Sequence, residues 1–559
     1  MPESSNNIAA HLPAMAAAQP ETLAVAIQGC SAATQIYVYK ELTASELEEE
    51  SNRLAHGLQK LGITQGTRTV LMVKPSVEFF VLTFALFKVG AIPIMVDPGM
   101  GIKNLKTCLA EAEPEAFVGI TKAHIARLIL GWGRATIHIN VNVGPPLPLC
   151  GPTYKSVRAE ETSPVMAEAD PHDLAAILFT SGSTGIPKGV EYTHDIFNGQ
   201  IESLRDNYGI TPGERDLATV PLFALFGPAL GMASIVPEMD ASKPITANPA
   251  HIIAAMHDYE CTNLFASPAL IEKVGVYGQG HSTHIPTLKR VISAGAPADP
   301  DSLERFTFLL NSDISILPSY GATEALPVAS ITHQELIADT KELTEAGKGL
   351  CIGRALDGID VRIIRISDDP VEIWSDELEE PTGVIGEICV SGKIVTRTYF
   401  KRPESTALAK ILMADGEKFY HRMGDLGYFD DEGRIWFCGR KAHRVQAAER
   451  VWYTIPCERV FNVHPQVKRT ALVGAERGGE VVPVMCVEID IKAGEGFAYD
   501  EDKSDFPPLV EQLTGLANEF DHTRDIKTFL KHPGFPMDVR HNAKIFREKL
   551  AVWAKEKLS

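Results

Sequence analysis

The chain has no Cys-x-x-Cys pair, no cluster of lysine and arginine beyond short pairs, and no uninterrupted apolar run long enough to cross a bilayer. Its nine cysteines (Cys30, Cys108, Cys150, Cys261, Cys351, Cys389, Cys438, Cys457 and Cys486) are odd in number and scattered. That pattern fits reduced thiols and excludes a disulfide framework or a cysteine zinc site. Lys plus Arg number 53 against 72 Asp plus Glu, a net charge of −19. A nucleic-acid backbone needs clustered cations, so DNA and RNA are excluded as partners. The most apolar stretch, Val77 to Val96, is broken by Lys88, Gly90 and Pro93. It falls short of the ~20 clean residues of a membrane helix. It reads as a helix ending near Lys88, a glycine turn, and a buried strand from Ile92 to Val96. Met1 to Gln28 lacks the basic start and apolar core of a secretory signal. Together these absences lead to the expectation of a cytoplasmic protein with no transmembrane segment.

What is present is ordinary for a globular chain: 559 residues, 45% hydrophobic and 22% charged. That length suggests three to four domains and needs no metal or disulfide staple. Short apolar runs recur between amphipathic stretches. Thr69–Val73, Leu174–Phe179, Val291–Ala294 and Ile314–Leu317 read as buried strands, and Asp195–Tyr208 as a helix. The alternation predicts α/β architecture with largely parallel sheets. After about Gly383 strand-like pieces come closer together: Gly386–Val390, Leu426–Phe429 and Arg434–Phe437. Past Gly439-Arg440 the pattern changes again. A helix is predicted around Ile455–Val463, a hairpin over Thr470–Ala475, Gly478-Gly479 and Val481–Ile489, and a helix over Pro508–Phe520. A domain boundary is placed at 439–441. Arg158–Asp170, Asp368–Pro381 and Ala493–Pro508 are acidic and read as exposed loops.

The sharpest chemical signal is Phe179-Thr180-Ser181-Gly182-Ser183-Thr184-Gly185-Ile186-Pro187-Lys188-Gly189. A buried strand leads in and a strand-like run, Val190–Tyr192, leads out. Its glycines let the backbone turn tightly and aim N–H groups at an anion. The hydroxyls can donate to phosphate oxygens, and Lys188 adds a point charge. The Walker pattern is not matched.

This stretch resembles the phosphate loop of the adenylate-forming superfamily, which includes acyl-CoA synthetases, luciferases and peptide-synthetase adenylation domains. Further motifs follow in the family's order. Gly295-Ala296-Pro297 resembles the adenine-edge loop. Ser319-Tyr320-Gly321-Ala322-Thr323-Glu324 resembles the adenine and metal segment. Tyr420-His421-Arg422-Met423-Gly424-Asp425 resembles the segment whose Asp binds ribose, and Gly439-Arg440 the hinge with its ribose-contacting Arg. Asn542-Ala543-Lys544-Ile545-Phe546-Arg547 resembles the family's Gly-Lys segment.

The resemblance implies a large N-terminal adenylation domain over residues 1–438, with two α/β sheets, helices and a smaller β region. A hinge at 439–441 and a small mobile α+β lid over 442–559 would complete it. It implies ATP and Mg²⁺ as cofactors. Nucleotide contacts would come from Thr180, Ser181, Gly182, Ser183, Thr184, Gly185, Lys188, Gly295, Ala296, Pro297, Tyr320, Gly321, Thr323, Asp425 and Arg440. Tyr320 would stack on adenine, and Thr323 would touch phosphate. Glu324 and Thr184 would hold the metal. Lys544, with Glu324, Thr184 and Lys188, would serve catalysis: a carboxylate attacks the α-phosphorus of ATP and pyrophosphate leaves, helped by positioning and charge stabilisation.

Several positions depart from the thioester-forming relatives. Pro221-Leu222-Phe223 is followed by Ala224 where many of them carry His or a large aromatic. Gln446 and Glu449 stand where a Lys and a tunnel-lining Gly are usual, and Glu449 would repel an anionic pantetheine arm. The hinge residue is Ala442, and Ala543 replaces the Gly before the lysine. Over Pro221–Gly231 and Gly347–Arg354 the chain resembles the β-lactone synthetases of bacterial long-chain olefin synthesis. That resemblance implies a 2-alkyl-3-hydroxy fatty acid whose own hydroxyl attacks the activated carboxyl. It also suggests two partners from the same route, a hydroxyacid-forming reductase and a β-lactone decarboxylase. Phe223, Ala224, Phe226 and Gly231 are candidate acyl-pocket residues, and apolar Leu264–Leu270 could add a wall. His194, His281 and His284 are open candidates for assisting the hydroxyl proton.

A fatty acyl-CoA synthetase or fatty acyl-AMP ligase remains the alternative, because it shares the first half-reaction. An amino-acid adenylation domain lacks a clear ammonium-binding Asp here. A decayed nucleotide-binding relative is disfavoured by the joint presence of Lys188, Glu324, Asp425, Arg440 and Lys544. A kinase or ATPase would release ADP or inorganic phosphate rather than AMP and pyrophosphate. Lys544→Ala is expected to slow acyl-adenylate formation roughly 100-fold or more, the scale of losing one charge stabiliser, as read by pyrophosphate release. A rate within a factor of about two of the parent would remove Lys544 from the reaction.

Overall fold

The structure, a computed structural model, describes residues 5–30, 36–96, 100–180, 187–220, 226–447, 450–489, 506–537 and 545–558. Two large sheets organise its first 440 residues. In the first, Ile139–Val143, Ala116–Ile120, Arg68–Met72, Ile92–Met95 and Leu174–Phe179 run parallel, and Gly189–Thr193 returns antiparallel at the edge. These strands read as nearly unbroken apolar runs because both faces of a parallel sheet are covered.

The second sheet has fourteen strands among the described residues. Its parallel part takes Leu23–Cys30, Ala233–Val236, Arg215–Ala218, Asn263–Ala266, Arg290–Ser293 and Ile316–Ala322 in spatial order. From there the sheet continues antiparallel through Ala325–Ser330, Leu350–Ala355, Ile435–Arg440, Phe419–Phe429, Gly386–Gly392 and Ile359–Ile364. The smaller β region of the large domain is hydrogen-bonded into the second sheet, through the hairpin that carries Tyr320 and Glu324. The strand expected at Ile314–Leu317 begins at Ile316 and runs on to Ala322. Only its first three residues are apolar, so the polar remainder was invisible to a hydrophobicity pattern.

Local sequence accounts for the helices that pack on these sheets. Thr43 and Glu46 close a reciprocal capping box at the start of helix Ala44–Lys60. Helix His194–Tyr208 stops at Gly209, whose φ of 61° is left-handed. Ser267 accepts the Leu270 N–H and Pro268 occupies the first turn of helix Pro268–Gly280. Ser267 is thus a helix cap, which is why a polar residue interrupts the apolar run Leu264–Leu270. The main core lies between the two sheets, where Phe80, Phe84, Phe87, Phe197 and Phe226 meet.

Beyond Arg440 the chain builds a smaller α+β unit. Val467–Arg477 and Glu480–Ile489 form the expected hairpin, with Gly478-Gly479 at its turn, and Thr528–Lys531 adds in parallel. Helices Thr454–Asn462, Phe506–Glu519 and Arg547–Leu558 complete it. It has its own cores, around Phe461, Leu472 and Leu513 on one face and Val473, Phe535 and Leu550 on the other. It abuts the large sheet along a seam of glycines. A Cβ on Gly439 would lie 2.1 Å from Thr454 Oγ1, and one on Gly347 would lie 2.3 Å from His522 Nε2.

Among the described residues no helix is long and apolar enough to cross a membrane. None of the nine cysteines is in a disulfide. The acidic stretch Asp368–Pro381 is largely exposed, as expected, but it is anchored: Arg422 donates to the carbonyls of Ser367 and Asp369, and Trp374 stacks on Tyr420 at 4.3 Å. Most of Ala493–Pro508 lies outside the described residues. Arg422 also pairs with Glu387 at 2.6 Å, both side chains being almost wholly buried, and Lys441 reaches the same carboxylate at 3.0 Å. Arg422→Ala should cost about 3 kcal/mol, since it strips a buried carboxylate of its better partner. A shift of the urea midpoint at unchanged slope measures it.

Candidate functional site

The parallel strands of both sheets point their carboxyl ends at one cleft, where open α/β sheets place their ligands. Leu174–Phe179 ends there at Thr180. Arg290–Ser293 ends at Gly295, whose φ of 97° requires glycine. Ile316–Ala322 ends in the turn to Ala325–Ser330. A Cβ on Gly321 would lie 2.7 Å from the Ala325 carbonyl, so this hairpin also demands its glycine.

The neck of the phosphate loop is closed by its own backbone. Thr180 N–H donates to the Lys188 carbonyl at 3.0 Å, and Lys188 N–H donates to Thr180 Oγ1 at 3.2 Å. Ser181, Gly182, Ser183, Thr184, Gly185 and Ile186 lie outside the described residues, as do Phe223, Ala224, Glu449, Ala543 and Lys544. The described residues after the Lys544 segment reach back to the start of the small unit: Glu548 lies 3.3 Å from His443 Nε2, three residues past Arg440.

Three expected nucleotide residues converge on one carboxylate. Tyr320 Oη donates to Asp425 Oδ2 at 2.6 Å. Arg440 Nε stands 3.0 Å from Asp425 Oδ1, but off the line a hydrogen bond needs, so that buried oxygen keeps an unmet acceptor. Burial pushes the Asp425 carboxyl up, while Arg440 and the tyrosine hydroxyl pull it down. A buried acceptor in want of a donor suits a vicinal diol such as ribose.

A second constellation surrounds Glu324. Tyr399 Oη donates to Glu324 Oε1 at 2.7 Å, and the Lys188 ammonium sits 4.7 Å from the centre of the Tyr399 ring. Among the described residues no side chain donates to Glu324 Oε2. Nor do any three His, Cys, Asp or Glu residues among them form a closed metal cage. One open carboxylate oxygen suits a hard cation that takes its other ligands from phosphates and water, as Mg²⁺ does. Burial lowers the Lys188 ammonium, and the nearby Glu324 carboxylate raises it. Behind them lies Lys410, buried and bonded to the Thr396 carbonyl, its ammonium pushed down to about 7 by burial against the pull of Glu324. His421 is held well below its usual value by burial and by Lys410, and its Nδ1 has no hydrogen-bond partner.

The strap from Thr396 to Phe400, which the motif reading missed, ties these parts together. Thr396 N–H and Oγ1 both donate to the Glu324 carbonyl, at 2.9 and 3.1 Å. Phe400 N–H donates to the Gly189 carbonyl at 2.7 Å and Glu191 N–H to Thr398 at 3.2 Å, so the strap lies along the strand leaving the phosphate loop. No glycine pattern or charge cluster marks Thr396–Phe400, and only its long-range partners reveal it.

The histidine candidates do not reach the cleft. His194 is buried, and its Nδ1 accepts the Ile8 N–H at 3.1 Å. His281 stacks on Tyr277 and His284 bonds Asn311, at the amino ends of the strands, opposite the cleft. Of the acyl candidates, Phe226 lines an apolar cavity of about 20 Å³ with Ile8, Thr83, Phe84, Phe87, Phe197 and Ala229. Gly231 does not line it. It takes a turn with φ 69°, packed against Pro212.

If Asp425 takes the ribose, Arg440→Ala should weaken AMP binding roughly tenfold, since it removes the charged neighbour of that carboxylate. The loss should grow as pH falls. The Asp425 carboxyl, already raised by burial, loses the cation that lowers it and takes up its proton at a higher pH than in the parent. Calorimetric titration with AMP at pH 8 and pH 6 reads both effects.

Comparison with known proteins places the chain among its relatives. A profile of the AMP-binding enzyme family matches residues 14–400. The olefin β-lactone synthetase of Xanthomonas campestris pv. campestris is 46% identical over 554 residues, covering 98% of this chain and 97% of that protein. The olefin β-lactone synthetase of Stenotrophomonas maltophilia is 45% identical over 559 residues, 99% and 98% of the two chains. The amide bond synthetase McbA from Marinactinospora thermotolerans shares the fold, with a TM-score of 0.76 at 20% identity over 98% of this chain and 99% of that one. The chain belongs to the AMP-binding enzyme family, in the group of the olefin β-lactone synthetases.

Proposed function

We propose that the protein is an AMP-forming ligase that converts a long-chain 2-alkyl-3-hydroxy acid to a β-lactone in two steps. The acid's carboxylate attacks the α-phosphorus of ATP, and pyrophosphate leaves. The 3-hydroxyl then attacks the acyl carbonyl, loses its proton, and expels AMP as the four-membered ring closes. The relationship to the olefin β-lactone synthetases, which runs through both the large and the small unit, carries this reading.

Each part of the first step has a residue suited to it. Asp425, with Tyr320 and Arg440 on either side, offers the ribose acceptor. Glu324 would hold Mg²⁺ through its open oxygen, together with Thr184. Bound there, the cation would neutralise charge on the phosphates. Lys188 faces the same cleft, and Lys544 would arrive from the small unit. The second step needs no second substrate, and holding the hydroxyl beside the activated carbonyl can replace about 7–11 kcal/mol of barrier. Gln446, exposed on the hairpin of Val445–Ala447 and Arg450–Trp452, is in keeping with the loss of a pantetheine route.

The division into a large domain of residues 1–438, a hinge at 439–441 and a lid over 442–559 is part of this proposal. The last strand of the large sheet ends at Arg440 and a separate core begins at Val445. We place the protein in the cytoplasm, where its thiols would stay reduced, beside a hydroxyacid-forming reductase and a β-lactone decarboxylase. Mass spectrometry of the product tests the reading. With Mg-ATP and a 2-alkyl-3-hydroxy acid, a product lighter than the acid by one water should form without CoA. A thioester formed only in the presence of CoA would make the protein an acyl-CoA synthetase instead.

A further inference from the structure

The geometry points to Tyr399 as a positioning residue for adenylation: its hydroxyl fixes the Glu324 carboxylate while its ring keeps the Lys188 ammonium apart from that carboxylate. The inference rests on the nucleotide site described above and does not depend on which product the second step gives.

Lys188 and Glu324 are opposite charges close enough to shift one another, in a partly desolvated cleft. Left alone, two such groups gain by collapsing into a direct ion pair. That collapse would disable both, because the ammonium would no longer meet phosphate and the carboxylate would no longer offer a free oxygen. No ion pair joins them among the described residues. The Tyr399 side chain serves both charges at once: its hydroxyl donates to Glu324 Oε1 at 2.7 Å, and the Lys188 Nζ lies 4.7 Å from its ring centre. A hydroxyl bond to a carboxylate and a cation above an aromatic face are both attractive, so each charge is stabilised without neutralising the other.

Tyr399 is itself held from several sides. It pairs with Val190 across a β-bridge, and its backbone N–H donates to Thr406 Oγ1 at 3.1 Å. The next turn is pinned by Arg402, which grips Glu111 with bonds of 2.6 to 3.0 Å. Thr396, three residues before, holds the Glu324 carbonyl through two hydrogen bonds. The ring is therefore set by the scaffold rather than by the charges it separates, as a preorganised support must be.

Tyr399→Phe removes the hydroxyl and keeps the ring. In the full chain, calorimetry with Mg-ATP should show affinity falling roughly tenfold, the worth of one hydrogen bond to a charged group. The Mg²⁺ concentration that half-saturates pyrophosphate release should rise by a similar factor. Metal-free AMP, which does not call on Glu324, should bind within about a factor of two of the parent. In a Glu324→Gln background the same substitution should lose most of its effect, because coupled neighbours are not additive. Unchanged Mg-ATP affinity in Tyr399→Phe would overturn the assignment. So would an equal loss of AMP binding, or an undiminished effect in Glu324→Gln. A parent chain that binds Mg-ATP but makes no lactone would sink the product assignment and leave this one standing. A parent that binds no Mg-ATP would sink both.

Discussion

Much of the molecule hangs on one buried carboxylate. Asp425 sits in the strand Phe419–Phe429, takes a hydrogen bond from Tyr320 in Ile316–Ala322, and faces Arg440 at the end of Ile435–Arg440. Those three strands come from the parallel part of the large sheet, from its antiparallel extension, and from the last strand before the small unit. A carboxylate this deep needs donors and cations close by. Tyr320 and Arg440 bring them from two other strands, so the three segments meet at Asp425. The oxygen that faces Arg440 still lacks a hydrogen bond, so the fold carries a cost at this point.

The cleft also shows how an acidic protein can receive an anionic substrate. With a net charge of −19 the chain as a whole repels phosphate. Its cations near the cleft are not spread over the surface: Lys188, Lys410 and Arg440 are brought in from segments far apart in the chain. Each is tethered to an uncharged group or to a single carboxylate. Two of them, Lys188 and Lys410, are made less basic by burial. Local placement does the work that overall charge cannot.

What could be read beforehand followed physical lines. The strand entering the phosphate loop and the hairpin around Gly478-Gly479 were legible, because each is dictated by neighbours in sequence. Tyr320 and Asp425, 105 residues apart, were found through motifs, but their bond to one another was not. Tyr399 was missed altogether. Its importance lies in a partner 75 residues away, and a tyrosine in a stretch of hydroxyls carries no mark of that. The histidines misled for the converse reason: an ionisable side chain looks chemical in a sequence, whereas His194 is taken up in capping the Ile8 N–H. The polar end of Ile316–Ala322 escaped because it lines a cleft, where the rule of apolar strands gives way to function.

The seam between the large sheet and the small unit has a consequence of a different kind. At Gly347 and Gly439 the two parts meet with bare backbone on one side and a side chain, His522 or Thr454, on the other, at separations that leave no room for a methyl group. Such a joint has no interlocking teeth, and its fit depends on what is missing from it. At these two positions any side chain is an obstacle, so the fit of the two parts is set by the smallest residues in the joint rather than by the largest.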